Sequence, residues 1–305
     1  MMELKNKSVL VLGLGETGLS MLRHLKTKGA RLSAADTRES PSGLTEAKKY
    51  VNESHISCGP FKDKLFVDID LIAISPGVPL RDPVIAKAVA SGIPVVGDIE
   101  LFAWTLPEQG RPRVLAITGS NGKTTVTSMV EHLCKTAGKM VVAAGNISPA
   151  VLDVVKGNAQ PDIWALELSS FQLESTSTLN ADAATVLNVS EDHMDRYDSL
   201  DEYAKFKARI FKGAKTQVLN RDDQRSFAMS QPECAKATLG LSDRDNMQDF
   251  GILQQEGESW LAQGMHALLK VEELKVNGLH NAANALAALA LCRAIDLPMD
   301  ALLDG

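Results

Sequence analysis

Val114-Leu115-Ala116-Ile117-Thr118-Gly119-Ser120-Asn121-Gly122-Lys123-Thr124-Thr125 passes from an unbroken apolar run into a glycine turn, then into a helical pattern from Thr124 to Ala137. A buried strand that breaks on glycines and restarts as a helix is the repeating unit of a parallel α/β sheet covered on both faces. The Gly-Lys-Thr ending adds chemistry. Backbone N–H groups of such a loop wrap phosphates, Lys123 reaches the terminal ones, and the Thr124 hydroxyl can ligate magnesium. Gly119, Ser120, Asn121, Gly122, Lys123, Thr124 and Thr125 are therefore candidate phosphate contacts. Ile117 stands where the G-x-x-x-x-G-K-[ST] pattern has its first glycine, so the loop is a shorter variant.

A second unit of the same kind lies upstream. Ser8-Val9-Leu10-Val11-Leu12 runs into Gly13-Leu14-Gly15-Glu16-Thr17-Gly18 and a helix from Ser20 to Lys28. G-x-G-x-x-G after a strand lets a diphosphate approach the backbone at a helix N-terminus. Asp36 follows at the end of the next strand, about 20 residues on, where an acid meets a ribose. By itself this suggests NAD, though the signal is weak about which nucleotide binds. Between the two units lies Leu106-Pro107-Glu108-Gln109-Gly110-Arg111-Pro112-Arg113, polar and rich in breakers, a natural linker. The expected division is 1–105 and 106–305.

Further strands are expected at Arg31 to Ala35, Asp70 to Ser75 and Pro94 to Gly97, with a helix from Pro83 to Ala90. The second part continues with strands at Met140 to Ala144, Ile163 to Leu168, Ala183 to Asn188 and Thr216 to Asn220. From about Cys234 to Val276 short alternating pieces suggest a small antiparallel addition. An Ala/Leu-rich helix spans Asn281 to Ile295.

The whole composition excludes several classes. With 305 residues, 45% hydrophobic and 23% charged, the chain is globular and large enough for two domains. No apolar run is long enough for a membrane span, and the N-terminal stretch lacks a signal peptide's apolar core. A net charge of −6 without a basic block argues against nucleic-acid binding. The four cysteines show no C-x-x-C spacing, so free, mostly buried thiols in a reducing cytosol are expected.

Other residues carry weaker signals. Glu167 ends a strand and could hold magnesium beside the phosphate loop, although acids also occupy strand ends for capping alone. Asn188-Val189-Ser190-Glu191-Asp192-His193-Met194-Asp195-Arg196 crowds charge after another strand, and His193 could ligate a metal; a solvated turn explains it equally well. Asn281 and Asn284 share one face at a helix start. Capping accounts for Asn281, and the pair hints at a purine. Lys207, in a helix from Asp201 to Phe211, is indistinguishable from its neighbouring lysines.

Taken in order, these motifs resemble those of the Mur ligases and folylpolyglutamate synthases. The resemblance rests on Thr118 to Thr125, Glu167 to Glu174, Asn188 to Tyr197 and Gly278 to Asn284. Gly13 to Gly18, Asp36-Thr37-Arg38, Ser75-Pro76-Gly77 and Gly97 to Phe102 look like the D-glutamate-adding branch. The resemblance implies a Rossmann-like first domain that holds UDP rather than NAD, and a P-loop ATPase-like central domain. Leu14, Glu16 and Thr17 would lie near the diphosphate, and Asp36, Thr37 and Arg38 near the uridine. Ser75, Asn146 and His193 would lie toward the muramoyl-alanine, with Asn281 and Asn284 at the adenine.

The implied reaction joins D-glutamate to UDP-N-acetylmuramoyl-L-alanine with ATP. It would use two magnesium ions held by Thr124, Glu167, His193 and Lys207, the last as a carbamate. Lys123, His193 and Lys207 would be catalytic. A cytoplasmic monomer, with neither membrane nor nucleic acid as partner, is the corresponding expectation. Two departures stand out. Ser148 replaces a common glycine. The chain also stops at Ala301-Leu302-Leu303-Asp304-Gly305, before the family's third domain, so a ligation-incompetent piece is expected. The rival readings are an NAD(P)-dependent oxidoreductase and a non-catalytic nucleotide-binding module.

Overall fold

The computed structural model describes residues 2–156, 160–242 and 246–305. In chain order the elements are β1 (Ser8–Leu12), α1 (Glu16–Thr27), β2 (Arg31–Asp36), α2 (Leu44–Ala47), β3 (Ile56–Cys58), β4 (Leu71–Ile74), α3 (Pro83–Ala90), β5 (Val95–Val96) and α4 (Asp98–Ala103). They continue as β6 (Arg113–Thr118), α5 (Lys123–Thr136), β7 (Val141–Gly145), α6 (Val151–Lys156), β8 (Ile163–Glu167), α7 (Ser170–Glu174), β9 (Ala183–Val186), α8 (Leu200–Ala208) and β10 (Thr216–Asn220). The last are α9 (Gln224–Phe227), β11 (Ala235–Leu239), β12 (Phe250–Gln255), β13 (Glu258–Gln263), β14 (His266–Lys270), α10 (Leu279–Arg293) and α11 (Met299–Leu303).

The chain packs as two compact units, an α/β architecture throughout. The first contains residues up to Pro107 together with two later excursions, one beginning at Ser148 and one spanning Phe171–Leu179; the second contains the remainder. The excursions have clear anchors. Arg23 grips Asp153 of α6 with Nε 2.8 Å from Oδ1, and Gln172 of α7 donates to buried Asp98 over 3.0 Å. Glu100 accepts from the backbone N–H groups of Ser177 and Thr178.

The first unit's sheet has the order β3-β2-β1-β4-β5 with parallel pairing. Chain order reverses at β1, because β2 lies on one side and β4 on the other. Such a switch point opens a crevice at the carboxyl ends of the strands, and Gly13 to Gly18 occupies it. Leu10, Leu12, Ile72, Ile74 and Ile85 fill the core beneath. Helix α1 begins at Glu16 rather than at Ser20, so much of the glycine segment forms its first turn.

The second unit's sheet runs β14-β13-β12-β11-β10-β9-β6-β8-β7. Here β6 is the switch strand, flanked by β8 and β9 in parallel register, with Ile117 opposite Glu167 and Thr118 opposite Val186. Among the described residues, only β12, β13 and β14 pair antiparallel. The expected antiparallel character from Cys234 is corrected for β11, which extends the parallel sheet beside β10 and meets β12 in parallel at Leu239–Phe250. Helix α10 lies against α5. Its buried alanines and leucines share one core with Val126 and Val130 of α5, and Cys292 Sγ sits 3.8 Å from Cys134 Sγ. Those two cysteines are buried, Cys234 is half-buried and Cys58 is exposed. Among the described residues no helix is long and apolar enough to cross a membrane.

Candidate functional site

The phosphate loop of the second unit leaves β6 at Thr118, whose hydroxyl donates to the Leu168 carbonyl at 2.7 Å. Gly122 adopts φ +84°, a left-handed turn that delivers the chain into α5; a Cβ there would come 2.7 Å from Asn284 Oδ1. The first N–H groups of any helix lack intrahelical partners and carry the positive end of its dipole. An anion at the start of α5 therefore meets Lys123 and Thr124. Lys123 folds back, donating to the carbonyls of Gly119 at 2.9 Å and Ser120 at 3.1 Å.

The neighbouring strands deliver the loop's partners. Glu167, at the end of β8 and 2% exposed, accepts from the Thr124 hydroxyl at 2.8 Å through Oε2. Its Oε1 accepts from Asn146 Nδ2 at 3.2 Å. Asn146 follows β7, whose Gly145 is in register with Glu167. Two hard oxygens, a hydroxyl and a carboxylate, thus lie together beside a phosphate loop, the donor chemistry that suits magnesium. Among the described residues no group of three or more His, Cys, Asp and Glu side chains gathers to hold a metal. A cation at Thr124 and Glu167 would complete its shell with ligand and water oxygens.

Lys207, 1% exposed on α8, donates to the Gly119 carbonyl at 2.9 Å and lies 4.4 Å from the Tyr203 ring centre. Burial, and then repulsion from Lys123, bring its pKa down to about 7 against the opposing pull of Asp192. At this position the amine is partly neutral near physiological pH. Sequence pattern alone could not single it out. The signal lies in burial, which one helical turn of similar lysines does not reveal. His193, in a left-handed conformation at φ 55°, is exposed and has Nε2 3.5 Å from Asp192 Oδ2.

Asn281 and Asn284 stand beside the loop and line a cavity of about 470 Å³ with Asn121, Gly122, Thr125, Asn188 and Asn220. Helix α10 begins at Leu279, two residues before the expected start. Asn281 therefore is not its cap; the side chain donates to the Asn277 carbonyl at 2.8 Å and accepts from Asn284 at 3.2 Å. Ser120 and Thr125 flank the loop, with Ser120 Oγ 3.0 Å from the Ser190 carbonyl.

In the first unit three glycines have three different reasons. A Cβ on Gly18 would meet the Gly13 carbonyl oxygen at 1.8 Å, and one on Gly13 would meet Ser75 at 2.9 Å. A Cβ on Gly15 meets nothing within 4 Å. Gly15 caps α1 and faces open space where a ligand can approach the backbone. Asp36 accepts from Leu14 N–H at 2.7 Å and from the Arg38 guanidinium at 2.7 and 2.8 Å. Burial raises its pKa, but these bonds outweigh it and hold the carboxyl at about 2. Its lone pairs thus fix the glycine loop and Arg38, while Thr37 and Arg38 stay exposed. Ser75 Oγ donates to the Gly13 carbonyl at 3.3 Å, and exposed Glu16 accepts from Ser148 at 3.1 Å. Thr17 is half-buried on the first turn of α1.

Both parts of the chain match known domains. Residues 117–292 match the Mur ligase middle domain, and residues 7–97 match the domain described as "Mur ligase MurD-like, N-terminal domain". The UDP-N-acetylmuramoylalanine–D-glutamate ligase of Nitrosomonas europaea is 55% identical over 312 residues, covering 99% of this chain and 66% of that protein. The protein of the same name from Methylobacillus flagellatus is 52% identical, covering 97% and 65%. The chain thus spans about two thirds of the length of the curated relatives it matches. Among solved structures, the UDP-N-acetylmuramate:L-alanyl-γ-D-glutamyl-meso-diaminopimelate ligase of Neisseria meningitides has a TM-score of 0.62 at 16% identity, covering 98% of this chain and 97% of that one. The UDP-N-acetylmuramate–alanine ligase of Thermotoga maritima has a TM-score of 0.55 at 21% identity, covering 98% and 67%. At those identities the two structures share the fold. The matched domains extend over most of the chain, and the chain belongs to the Mur ligase family.

Proposed function

We propose that the chain carries the substrate and ATP sites of an ATP-dependent ligase that adds D-glutamate to UDP-N-acetylmuramoyl-L-alanine in cytoplasmic peptidoglycan synthesis. The observation that carries this reading is the convergence on one loop of Lys123, Thr124 with Glu167, and buried Lys207. In the reaction, the L-alanyl carboxylate attacks the γ-phosphorus of ATP, giving an acyl phosphate and ADP. The amine of D-glutamate then displaces phosphate and loses a proton, forming the amide. Both partners of the first step are anions, so catalysis requires charge management and alignment.

The residues divide that work. Lys123 leaves the Gly119 and Ser120 carbonyls and meets the terminal phosphates. The Gly122 N–H and the start of α5 receive the rest of the triphosphate, the Ser120 and Asn121 N–H groups being donated to Asn188. Thr124 and Glu167 would hold a magnesium ion, which supplies neutralisation of the phosphate oxygens. Lys207, partly neutral because it is buried, reacts with carbon dioxide to give a carbamate and a proton; with His193 it would hold a second ion. Asn281 and Asn284 read the base. In the first unit, the backbone at Leu14 and Gly15 and the side chains of Glu16 and Thr17 receive the UDP diphosphate, with Thr37 and Arg38 at the uridine. Asp36 orients Arg38 and Leu14. Ser75 and Asn146 serve the muramoyl-alanine.

The test is trapping of the acyl phosphate. UDP-N-acetylmuramoyl-L-alanine, ATP and magnesium are incubated with the protein, and borohydride reduces any acyl phosphate to the alaninol, read by mass spectrometry. The alaninol should form with the wild type and vanish in Lys123→Ala. Neither alaninol nor substrate-dependent ADP from the wild type would overturn the proposal.

A further inference from the structure

We infer that Asn188, just beyond β9, is a positioning residue that sets the shape of the phosphate loop. This rests on the nucleotide reading of that loop. The Asn121 N–H donates to Asn188 Oδ1 at 2.8 Å, and Asn188 Nδ2 donates back to the Asn121 carbonyl at 3.1 Å. A single side-chain amide thus pairs with both polar groups of one loop residue, as a neighbouring strand would. The Ser120 N–H is also taken, by the Asn188 carbonyl at 3.0 Å.

These bonds have a directional consequence. Ser120 and Asn121 point their N–H groups toward the 188–190 segment. Reception of an anion therefore falls to Gly122 and the open first turn of α5. Asn121 is exposed at the apex of the loop, where water competes for its backbone groups, and Gly122 next to it lies in the left-handed region. A primary amide offers a donor and an acceptor on one carbon without needing a proton from solution, which an ionised carboxylate does not. Aspartate would keep the bond from Asn121 N–H, lose the donor, and set a carboxylate against the Asn121 carbonyl beside the phosphates. Alanine loses both side-chain bonds. It leaves the backbone bond from Ser120 and the reciprocal bonds between Ser120 and Ser190 at 3.0 Å, so the fold has other ties at this edge.

Asn188 also lines the cavity with Asn281 and Asn284, so a direct contact with the base is the competing role. ADP and adenosine separate the two. Affinities of the wild type, Asn188→Ala and Asn188→Asp for ADP are measured by calorimetry and for adenosine by saturation-transfer NMR. Amide hydrogen exchange of residues 119–123 is followed in the ligand-free proteins. Positioning predicts a loss of ADP affinity of about tenfold in Asn188→Ala, at least as much in Asn188→Asp, unchanged adenosine binding, and faster exchange in the loop. Equal losses for adenosine and ADP, or loop exchange identical to wild type, would overturn it. A wild type that binds ADP while Asn188→Ala binds it equally well defeats this inference alone. A wild type that binds no ADP defeats the nucleotide reading and this inference with it.

Discussion

Lys207 Nζ donates to the carbonyl of Gly119 across 2.9 Å, although 88 positions separate them in sequence. The bond ties α8 to the phosphate loop and places an amine of pKa about 7 where phosphate charge would gather. Burial is the first cause of that lowered value and the nearby Lys123 the second. Above pH 7 the neutral amine dominates and can attack carbon dioxide. With ¹³C-bicarbonate at pH 8, a carbamate signal is expected, fading as the pH falls below 7 and absent in Lys207→Ala. A signal that persists in that variant would refute the assignment.

The oxygen pair of Thr124 and Glu167 yields a different test. Glu167→Gln retains an acceptor for Thr124 but removes the charge that would hold a divalent ion. Wild-type affinity for ATP should rise about tenfold or more with magnesium, on the scale of a charge-assisted contact, whereas Glu167→Gln should be nearly indifferent to it. Calorimetry with and without magnesium reads the difference.

Gly15 and Gly18 should respond oppositely to one methyl group. Gly18→Ala drives a Cβ into the Gly13 carbonyl and should destabilise the first unit by about 3 kcal/mol or more, in the range of severe overpacking. Gly15→Ala has room and ordinary dihedrals, so its melting temperature should stay within a degree or two, about the scale of a neutral surface change. Its affinity for UDP should nevertheless fall. Thermal melts and UDP titrations of the two variants check the contrast.

Asp98 supplies the pH dependence. It is fully buried, and burial raises its pKa from 3.8 to about 6 despite the bond from Gln172. Between those values the folded state binds more protons than the unfolded state. Its stabilising effect is therefore complete below pH 3.8 and lost as pH rises through 6. Asp98→Asn keeps an acceptor for Gln172 and removes the buried charge. It should stabilise the protein by roughly 3 kcal/mol at pH 7.5 and by almost nothing below pH 4. Urea unfolding at the two pH values measures both.

The local pattern disclosed a good deal. Ser8–Leu12, Pro83–Ala90 and Thr216–Asn220 were legible to the residue, because apolar runs bounded by polar turns report on their own burial. The start of α1 was hidden because Gly15 and Gly18 look like breakers while serving as a cap and a close packing point. Parallel pairing of β11 depends on β10, a partner distant in sequence, which alternation cannot name. The excursions anchored by Asp153 and Gln172 were invisible for the same reason. At the site, the loop and Glu167 were readable from strand ends. Asn188 carries no signal of its own beyond membership of a charged cluster, since its partner is a backbone peptide 67 positions away.

The most direct test of the account is a calorimetric titration of the protein with UDP-N-acetylmuramoyl-L-alanine, with NADH titrated in parallel. The open approach at Gly15 and the exposed Arg38 held by Asp36 predict saturable one-site binding of the UDP-linked substrate, weakened in Gly15→Ala, and no binding of NADH. Saturable NADH binding with no heat from the UDP-linked substrate would contradict it.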